Sequence, residues 1–420
     1  MRIELSYGKK KVDFEIEKDQ LLKVLTPSEI LPSKSPELEI ESSLKNPIEG
    51  PTIEELSPKG KTIAIAVDDM TRVTPTHIIL PTLLRLLEKS GAKKEDIKII
   101  IALGTHRSMD QKEMKEEYGE EIVERYEVIN HEFEDQSELE YLGNIVEDVP
   151  VWINKDYLKA DIRIATGNLI PHFNAGWGAG AKILLPGLAG EETVGRMHIH
   201  SSITNPNALG LVENPTREII DAFVEKVGLH LLINTAINRN KEIVKVFAGH
   251  FIKAHRKGVE FAKKIYGVKI PEKADVTISS SHPADIEFWQ GQKGIFSADL
   301  ATKDGGGIIL LTPCPEGIAV MHPKILDYLQ NSYEDLKKIS RLRDIEDPVG
   351  LAISICLAYE REKHPIYIVS DCLTNEEVGK MGFKKSESIE EAMEIITKNQ
   401  GSNLKYNILT YGGETYPIVE

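Results

Sequence analysis

The sequence predicts an α/β protein built from two α/β domains, with mostly parallel sheets and an active-site cleft between the domains. Its 420 residues exceed what a single hydrophobic core usually serves, which favours two domains. Short apolar runs alternate with amphipathic helical segments, as in parallel sheets that helices cover on both faces. Polar clusters come directly after several of these runs, and in such sheets ligands bind at the carboxyl ends of the strands.

The predicted N-terminal domain covers residues 1–268. It begins with a hairpin over residues 3–16, and a more polar stretch from about 26 to 60 connects this hairpin to the main fold. Apolar runs and helical periodicity then predict strands at 62–67, 96–103, 161–166 and 229–236, and helices at 77–89, 111–125 and 251–266. The last of these strands starts a hairpin that turns at residues 238–241.

The predicted C-terminal domain covers residues 269–420 and follows a hinge at residues 266–271. The alternation restarts here and predicts strands at 275–280, 307–312 and 366–370, and helices at 285–300, 348–361 and 387–398. Residues 406–411 and 415–419 predict a closing hairpin, whose strands are candidates for a return to the N-terminal domain.

Composition and charge narrow the class of protein. The formal net charge of −15 argues against a nucleic-acid partner, because phosphate binding needs an excess of Lys and Arg. No apolar run approaches the roughly 20 residues that cross a bilayer, and the first residues lack the apolar core of a signal peptide. These features predict a cytoplasmic protein with no membrane partner. The three cysteines, Cys314, Cys356 and Cys372, form no Cys-x-x-Cys pair, which argues against disulfides and cysteine zinc sites.

Four polar clusters follow predicted strands and are expected to meet in one cleft. They lie at residues 69–72, 104–107, 168–172 and 280–282. Helix N-termini point at the same edge of a parallel sheet, which adds to its suitability as a ligand site. Simpler interpretations exist, because Asp69 and Thr71 would also serve as helix caps and His106 would also fit an ordinary turn.

Residues 174–187 form a glycine-dense loop around Lys182. Gly176 and Gly178 let a flat or charged group lie against bare backbone, within reach of the lysine amine. His172 and His198 flank the loop, and imidazoles can transfer protons or bind a metal. The loop matches neither the G-x-G-x-x-G nor the Walker pattern in its usual setting. It suggests a tethered cofactor, and a role of His172 in stiffening the loop is the alternative.

Trp289, Gln290 and Lys293 lie together on the predicted helix 285–300. Offsets of three and four residues place Lys293 on one helix face with the other two. An aromatic ring, an amide and an ammonium on one stripe could hold a flat anionic ligand. An ordinary exposed helix surface is the alternative interpretation of the same stripe.

Together these motifs resemble the nickel-dependent lactate racemase family over nearly the whole chain. The residues that carry the resemblance are Asp69-x-Thr-Arg72 with Pro75, Gly104-Thr-His-Arg107, His172, Gly-x-Gly-Ala-Lys182 with Pro186-Gly187, Glu192-Thr-Val194, His198, and Gln290-x-x-Lys293. Each motif is short, and their shared order and spacing make the resemblance specific.

The resemblance implies a nickel pincer nucleotide, which is a pyridinium-3-thioamide-5-thiocarboxylic acid mononucleotide that holds nickel between two sulfur-containing arms. Lys182 would carry it through a thioamide bond, and His198 would supply the remaining nickel ligand, because its spacing from the lysine fits better than that of His200. The family's cofactor-biosynthesis enzymes are the implied maturation partners. The other residues expected to bind the cofactor are Asp69, Thr71, Arg72, Gly176, Gly178, Trp289 and Gln290.

The resemblance also implies an isomerase that acts on a small 2-hydroxy acid. Removing the hydroxyl proton while the cofactor accepts a hydride from C2 gives a planar 2-keto acid, and return of the hydride to the other face inverts the centre. His106 and His172 are the expected acid/base pair, since an imidazole pKa near neutrality suits both roles. Arg72 and Lys293 are expected to offset negative charge on the substrate or cofactor.

Departures from the family pattern leave the substrate open. Trp289 stands where lactate racemase has a tyrosine, and a tryptophan of the lactate enzyme's C-terminal pocket has no counterpart here. Lactate, malate, longer 2-hydroxy acids and aldonic sugar acids are all candidates. Rival classes are a pyridoxal-phosphate enzyme with a Schiff base on Lys182, a zinc hydrolase that uses histidines 106, 172 and 198, and a non-enzymatic carrier of the nucleotide.

Overall fold

The computed structural model describes residues 1–146, 149–342 and 344–420. In this part of the chain the strands form two six-stranded sheets and four two-stranded sheets. The strands are β1 (Arg2–Tyr7), β2 (Lys10–Glu15), β3 (Leu21–Leu25), β4 (Ile63–Asp68), β5 (Ile97–Ala102), β6 (Glu127–Asn130), β7 (Leu139–Ile145), β8 (Val149–Asn154), β9 (Ile162–Asn168), β10 (Pro171–His172), β11 (Gly176–Trp177), β12 (Leu231–Ile237), β13 (Ile243–Gly249), β14 (Gly267–Ile270), β15 (Ala274–Ser280), β16 (Thr302–Leu311), β17 (Ile366–Val369), β18 (Lys384–Ser386), β19 (Tyr406–Leu409) and β20 (Tyr416–Val419).

Helices connect most of these strands. They are α1 (Pro36–Lys45), α2 (Ile53–Leu56), α3 (Thr76–Lys89), α4 (Gln111–Tyr118), α5 (Glu120–Arg125), α6 (Lys155–Lys159), α7 (Glu191–Thr204), α8 (Pro215–Val227), α9 (Phe251–Tyr266), α10 (Phe288–Gly291), α11 (Lys293–Ala301), α12 (Ile325–Tyr328), α13 (Tyr333–Ile339), α14 (Pro348–Lys363), α15 (Asn375–Lys380) and α16 (Ile389–Gln400). Among the described helices, none has both the length and the apolar character needed to cross a bilayer.

The first six-stranded sheet has the strand order β13-β12-β9-β4-β5-β6. Its neighbours are parallel except β12 and β13, which form the predicted antiparallel hairpin. Alternate residues of β4 enter different cores: Ile65 packs on one face of the sheet and Ala66 on the other. Burial on both faces explains why the central strands are nearly continuous apolar runs.

The second six-stranded sheet has the order β18-β17-β16-β15-β19-β3, and all its neighbours are parallel. Residues of α11 and α14 pack in the core on one face. The β1–β2 hairpin and α16 pack in the core on the other face. Two largely parallel sheets, each covered on both sides, confirm the predicted fold class.

Three predicted elements need correction. The helix at 111–125 is divided into α4 and α5 by Gly119, whose φ of 96° lies in the left-handed region that ends helices. The helix at 285–300 starts only at Phe288 and is divided at Gln292. The closing hairpin is wrong. β19 pairs in parallel with both β15 and β3, which leaves it no free edge, and β20 pairs in parallel with β14 instead.

The arrangement in space does not follow the order of the chain. Strand β3 pairs with β19 at the edge of the second sheet, so residues 21–25 lie with the predicted C-terminal domain. Conversely, a residue from the end of the chain lies against the predicted N-terminal domain. Tyr416 of β20 makes an edge-to-face contact with Trp177 of the glycine-rich loop, with ring centroids 6.1 Å apart. The division of the chain into two domains at residue 268 remains a prediction.

Candidate active site

A cavity of about 530 Å³ lies where the carboxyl ends of β4, β5 and β9 face α10, α11 and the loop before α12. This position is the one expected for a ligand site in a parallel sheet, and it lies between the two large sheets. Every predicted site residue except Gly176 lines this cavity. Those that do are Asp69, Thr71, Arg72, His106, His172, Gly178, Lys182, His198, Trp289, Gln290 and Lys293.

Gly176 has a packing role instead of a place in the cavity wall. Its φ is +73°, and a Cβ atom there would lie 1.8 Å from the carbonyl oxygen of Leu211. Only glycine permits this close approach of two backbone segments. Gly178 does line the cavity, and a Cβ on it would lie 3.0 Å from the Ile170 side chain.

The buried guanidinium of Arg217 fixes the backbone of the glycine-rich loop. It donates hydrogen bonds to the carbonyl oxygens of Ala175, Trp177 and Ala179. Burial lowers the pKa of Arg217 to about 10, so the group stays charged at neutral pH. Arg217 was not predicted from the sequence, because it lies on α8 with no motif around it.

Asn234 and His255 complete the support of the loop. The Asn234 side-chain oxygen accepts a hydrogen bond from the backbone N–H of Gly180 at 3.0 Å. The Nε2–H group of the fully buried His255 donates to the carbonyl oxygen of Gly178 at 2.9 Å. Charged, amide and imidazole groups from three different elements therefore fix the backbone that carries Lys182.

The amine of Lys182 is placed as a nucleophile. Burial, together with the nearby positive charges of Arg72, Lys293 and Arg217, lowers its pKa well below the ordinary value, and Asp68 opposes this only in part. Within the described ranges, the Lys182 amine has no hydrogen-bond partner. An unprotonated amine without a partner is the reactive form of a lysine.

His172 is held as a neutral imidazole. Its Nδ1 accepts hydrogen bonds from the backbone N–H groups of Asn174 and Ala175 at 3.2 and 3.3 Å, which leaves the proton on Nε2. Burial and the nearby charges of Lys182 and Lys293 lower its pKa well below the ordinary value. The ring stacks on Phe173 with centroids 5.3 Å apart, so its orientation is fixed.

His198 presents the nitrogen that a metal would bind. Its Nδ1–H group donates to the carbonyl oxygen of Val194 at 2.8 Å, one turn earlier on α7, which leaves a lone pair on Nε2. Burial lowers the pKa of His198 to about 4 against the opposing effect of this hydrogen bond. Neutral imidazole oriented by such a bond is the usual metal-binding form. His200, two residues later, does not line the cavity.

Asp69 orients His106. One carboxylate oxygen of Asp69 lies 2.6 Å from Nδ1 of His106, and the other accepts hydrogen bonds from the backbone N–H and hydroxyl of Thr71. Burial alone would raise the pKa of Asp69, but His106, Arg72 and Thr71 outweigh it and lower the pKa below its ordinary value. Both oxygens of Asp69 thus have protein partners, and Nε2 of His106 is left as the base.

Lys293 and Gln290 form a pair across one turn. The Nζ atom of Lys293 donates to the side-chain oxygen of Gln290 at 2.6 Å. Burial and the positive charge of Arg72 lower the pKa of Lys293 to about 7, while Glu414 opposes them. The guanidinium of Arg72 has no side-chain hydrogen bond to any described residue. Arg72 and Lys293 are therefore available to bind an anion.

His322 lines the same cavity, although the sequence did not predict it as a site residue. Its ring stacks on Trp289 with centroids 4.3 Å apart and an interplanar angle of 23°. Its Nδ1 lies 2.9 Å from a carboxylate oxygen of Asp347. No local pattern marks His322, because it follows a loop and meets Asp347 only through the fold.

Two family models match consecutive parts of the chain: the lactate racemase N-terminal domain matches residues 7–210, and the lactate racemase C-terminal domain matches residues 269–413. The lactate racemase of Thermoanaerobacterium thermosaccharolyticum is 32% identical over 421 aligned residues, which cover 98% of this chain and 97% of that protein. The chain belongs to the lactate racemase family. It is therefore an isomerase of the racemase class. The lactate racemase of Lactiplantibacillus plantarum is 30% identical over 427 aligned residues and is covered to 98%, as is this chain.

The lactate racemase fold extends over the entire chain. The structure of the lactate racemase apoprotein from T. thermosaccharolyticum matches with a TM-score of 0.91 at 31% sequence identity, and the match covers 100% of both chains. A Thermotoga maritima protein shares the fold with a TM-score of 0.70 at 19% identity, and covers 93% of this chain and 100% of its own.

Residues from both matched parts of the chain line the cavity. The N-terminal match contains the residues from Asp69 to His198, and the C-terminal match contains Trp289, Gln290 and Lys293. Since the cavity is lined from both matches, neither part alone provides the whole site.

We predict that acid destabilises this lactate racemase family member through His255. Burial, with Arg217 and Arg256 nearby, holds the pKa of His255 well below its ordinary value. Because an unfolded histidine is protonated near pH 6.5, the stabilisation is complete above that pH and is lost as the pH falls below it. The free energy of unfolding should drop by about 2 kcal/mol from this group by about pH 5.

Urea unfolding at about pH 7.5 and about pH 5 measures this effect. His255→Gln keeps a donor for the Gly178 carbonyl and should lack about 2 kcal/mol of the pH dependence of the wild type. An identical pH dependence in the variant would contradict the assignment.

Proposed function

We propose that the protein inverts the C2 centre of a 2-hydroxy acid by reversible hydride transfer, with a nickel pincer nucleotide tethered to Lys182. The observation that carries this proposal is the set of groups in one cavity: the unpartnered amine of Lys182, the free Nε2 of His198, and two further histidines. The racemases to which the chain is similar support the reaction class.

The residues present fit the proposed cofactor. Lys182 offers an amine of lowered pKa for a thioamide bond, and His198 offers an imidazole nitrogen to complete nickel coordination beside soft sulfur donors. Gly178 leaves bare backbone at the cavity wall, where a flat ring can approach closely. Asn168 lines the cavity with a buried side-chain amide nitrogen that has no partner in the described part of the chain. When bound, the cofactor supplies an acceptor for the C2 hydrogen as a hydride.

The protein's own residues bind the substrate and move its proton. Arg72 and Lys293 hold the carboxylate, which also restores a full positive charge to Lys293, whose pKa is lowered to about 7 without an anion. His106 or His172 accepts the proton of the C2 hydroxyl, and the centre becomes a planar 2-keto acid. The other histidine donates a proton to the oxygen when the opposite enantiomer forms.

Lactate is the substrate that the names of both relatives indicate. A larger, polar 2-hydroxy acid such as malate or an aldonic acid is the second candidate. The stack of Trp289 on His322 favours an acid with further hydroxyls, because Asp347 holds the imidazole through Nδ1 and the remaining ring nitrogen can accept a hydrogen bond from a hydroxyl beyond C2.

The deciding experiment incubates holoprotein with single enantiomers of lactate, malate and aldonic acids in heavy water. We expect inversion of at least one acid, with C2 largely undeuterated, because the hydrogen leaves and returns as a hydride. Full deuteration of C2 would indicate proton abstraction at carbon and contradict the proposal. Protein made without the cofactor-biosynthesis enzymes is the control, and it should be inactive until it is matured. Hydrolytic activity of the protein with zinc alone would favour the rival interpretation of the site as a zinc hydrolase.

A further inference from the structure

Asp299, Glu360 and His364 form a buried cluster away from the active-site cavity. Asp299 lies near the end of α11, Glu360 in the last turn of α14, and His364 directly after that helix. One side-chain oxygen or nitrogen from each of them lies within 4.8 Å of the others. None of the three lines the active-site cavity, so the proposed racemisation does not use them.

The surrounding hydrogen bonds hold the His364 ring and the Asp299 carboxylate against each other. The Nδ1–H group of His364 donates to the carbonyl oxygen of Gly306 at 3.0 Å, so Nε2 faces Asp299, where a metal ion would take the place of the Nε2 proton. This Nε2 lies 2.9 Å from Oδ1 of Asp299, whose other oxygen accepts from the Asn207 amide at 3.1 Å. A histidine and a carboxylate oriented by outer hydrogen bonds in this way are typical of metal ligands.

Glu360 adds a second, independent observation. It is fully buried, and within residues 1–146, 149–342 and 344–420 neither carboxylate oxygen has a hydrogen-bond partner. The neighbouring Asn207 gives its N–H groups to Phe296 and Asp299 instead. Burial and the charge of Asp299 raise the pKa of Glu360 well above its ordinary value. Two buried carboxylate oxygens without partners are costly, and a cation between Glu360, Asp299 and His364 would satisfy them.

We propose that Asp299, Glu360 and His364 bind a divalent transition-metal ion that joins the ends of α11 and α14. One imidazole nitrogen and two carboxylates are ligands that such ions prefer. Metal–ligand bonds of about 2.0–2.2 Å span the nitrogen–oxygen distance at an angle of about 90°. This site is separate from the nickel that His198 would bind.

Lys363 is the competing cation. Its ammonium contacts Oδ1 of Asp299, and it lies 3.4 Å from a carboxylate oxygen of the exposed Asp304. The Lys363 side chain is partly exposed, so a bound metal ion can displace it toward Asp304 without burying an unpaired charge. Removing this ammonium should therefore strengthen metal binding.

The test uses the full chain with His198→Ala, produced without the cofactor-biosynthesis enzymes so that the active site holds no nickel. Chelator-treated protein is titrated with Zn²⁺ against a coloured competing chelator, and the bound metal is counted by elemental analysis. We expect one tightly bound zinc ion per chain, and at least a 100-fold loss of affinity when Glu360→Gln or His364→Gln is added. Adding Lys363→Met should keep or increase the affinity.

Circular dichroism identifies variants that do not fold. If Glu360→Gln or His364→Gln does not fold, the zinc affinity of Asp299→Asn is measured in its place. Thermal unfolding gives a second readout, because zinc should raise the melting temperature of the His198→Ala protein and leave that of the Glu360→Gln variant unchanged. Equal zinc affinity with and without Glu360→Gln, or no stoichiometric binding at all, would overturn the proposal. A loss of zinc binding in Lys363→Met would also count against it.

Discussion

Replacing Lys182 with alanine or arginine is expected to give a folded protein with no covalent cofactor and no racemase activity. The reason is that the lowered pKa of Lys182 provides the one reactive amine on the glycine-rich loop, while alanine has no amine and arginine stays protonated. Intact-mass analysis after co-expression with the maturation enzymes measures the tether directly, and chiral analysis of the product measures activity.

Lys293→Met is the matched control for the tether. Lys293 lies in the same cavity and its pKa is lowered to about 7, but its amine donates a hydrogen bond to the side chain of Gln290. We therefore expect this variant to keep the added mass while losing activity, because the substrate carboxylate loses a partner. Added mass in Lys182→Ala, or its absence in Lys293→Met, would move the attachment to another lysine.

Replacing either His106 or His172 with asparagine is expected to slow racemisation by about 10²- to 10⁴-fold, which is the usual contribution of a general acid or base. In the proposed mechanism each turnover uses both groups, since one would take the hydroxyl proton and the other would return a proton on the opposite face. Conversion of single enantiomers, followed by chiral chromatography, gives the rate for each variant in both directions.

A single-turnover measurement separates the two bases. Each variant should still oxidise one enantiomer to the 2-keto acid on stoichiometric holoprotein, and the enantiomer should differ between the two variants. Loss of the same enantiomer in both variants would show that the histidines act on one face. Asp69→Asn tests the positioning of His106, because it should reproduce the His106 preference more weakly and alter the pH profile.

The convergence of the site was predictable from the sequence because the geometry of a parallel sheet is simple. Asp69, His106 and His172 each follow a different strand, and the carboxyl ends of β4, β5 and β9 meet at one edge. The closing hairpin could not be predicted correctly. Its two short segments alternate as in a hairpin, and only the fold reveals that other strands take both edges of β19 and that β14 pairs with β20.

The residues that hydrogen-bond the backbone of the glycine-rich loop could not be predicted from the sequence, for a different reason. Arg217 and Asn234 lie 35 or more residues after Lys182, and neither stands in a recognisable motif. His255 gave a weak signal, because it lies beside Ala254 and Gly258 on the buried stripe of α9. A polar residue on an apolar helix face needs a partner, but the sequence does not name that partner.

The pairing of β3 with β19 joins two distant parts of the chain and bears on when the fold can be completed. The hydroxyls of Thr26 and Thr410, just beyond these strands, are 2.8 Å apart although 384 residues separate them along the chain. A ribosome therefore releases β3 long before its neighbour exists, and β15 keeps an unpaired edge until residues 406–409 emerge. The second sheet, in which β15 and β16 flank the helix that begins at Lys293, is therefore completed only when β19 has been made. We expect cofactor attachment to follow translation.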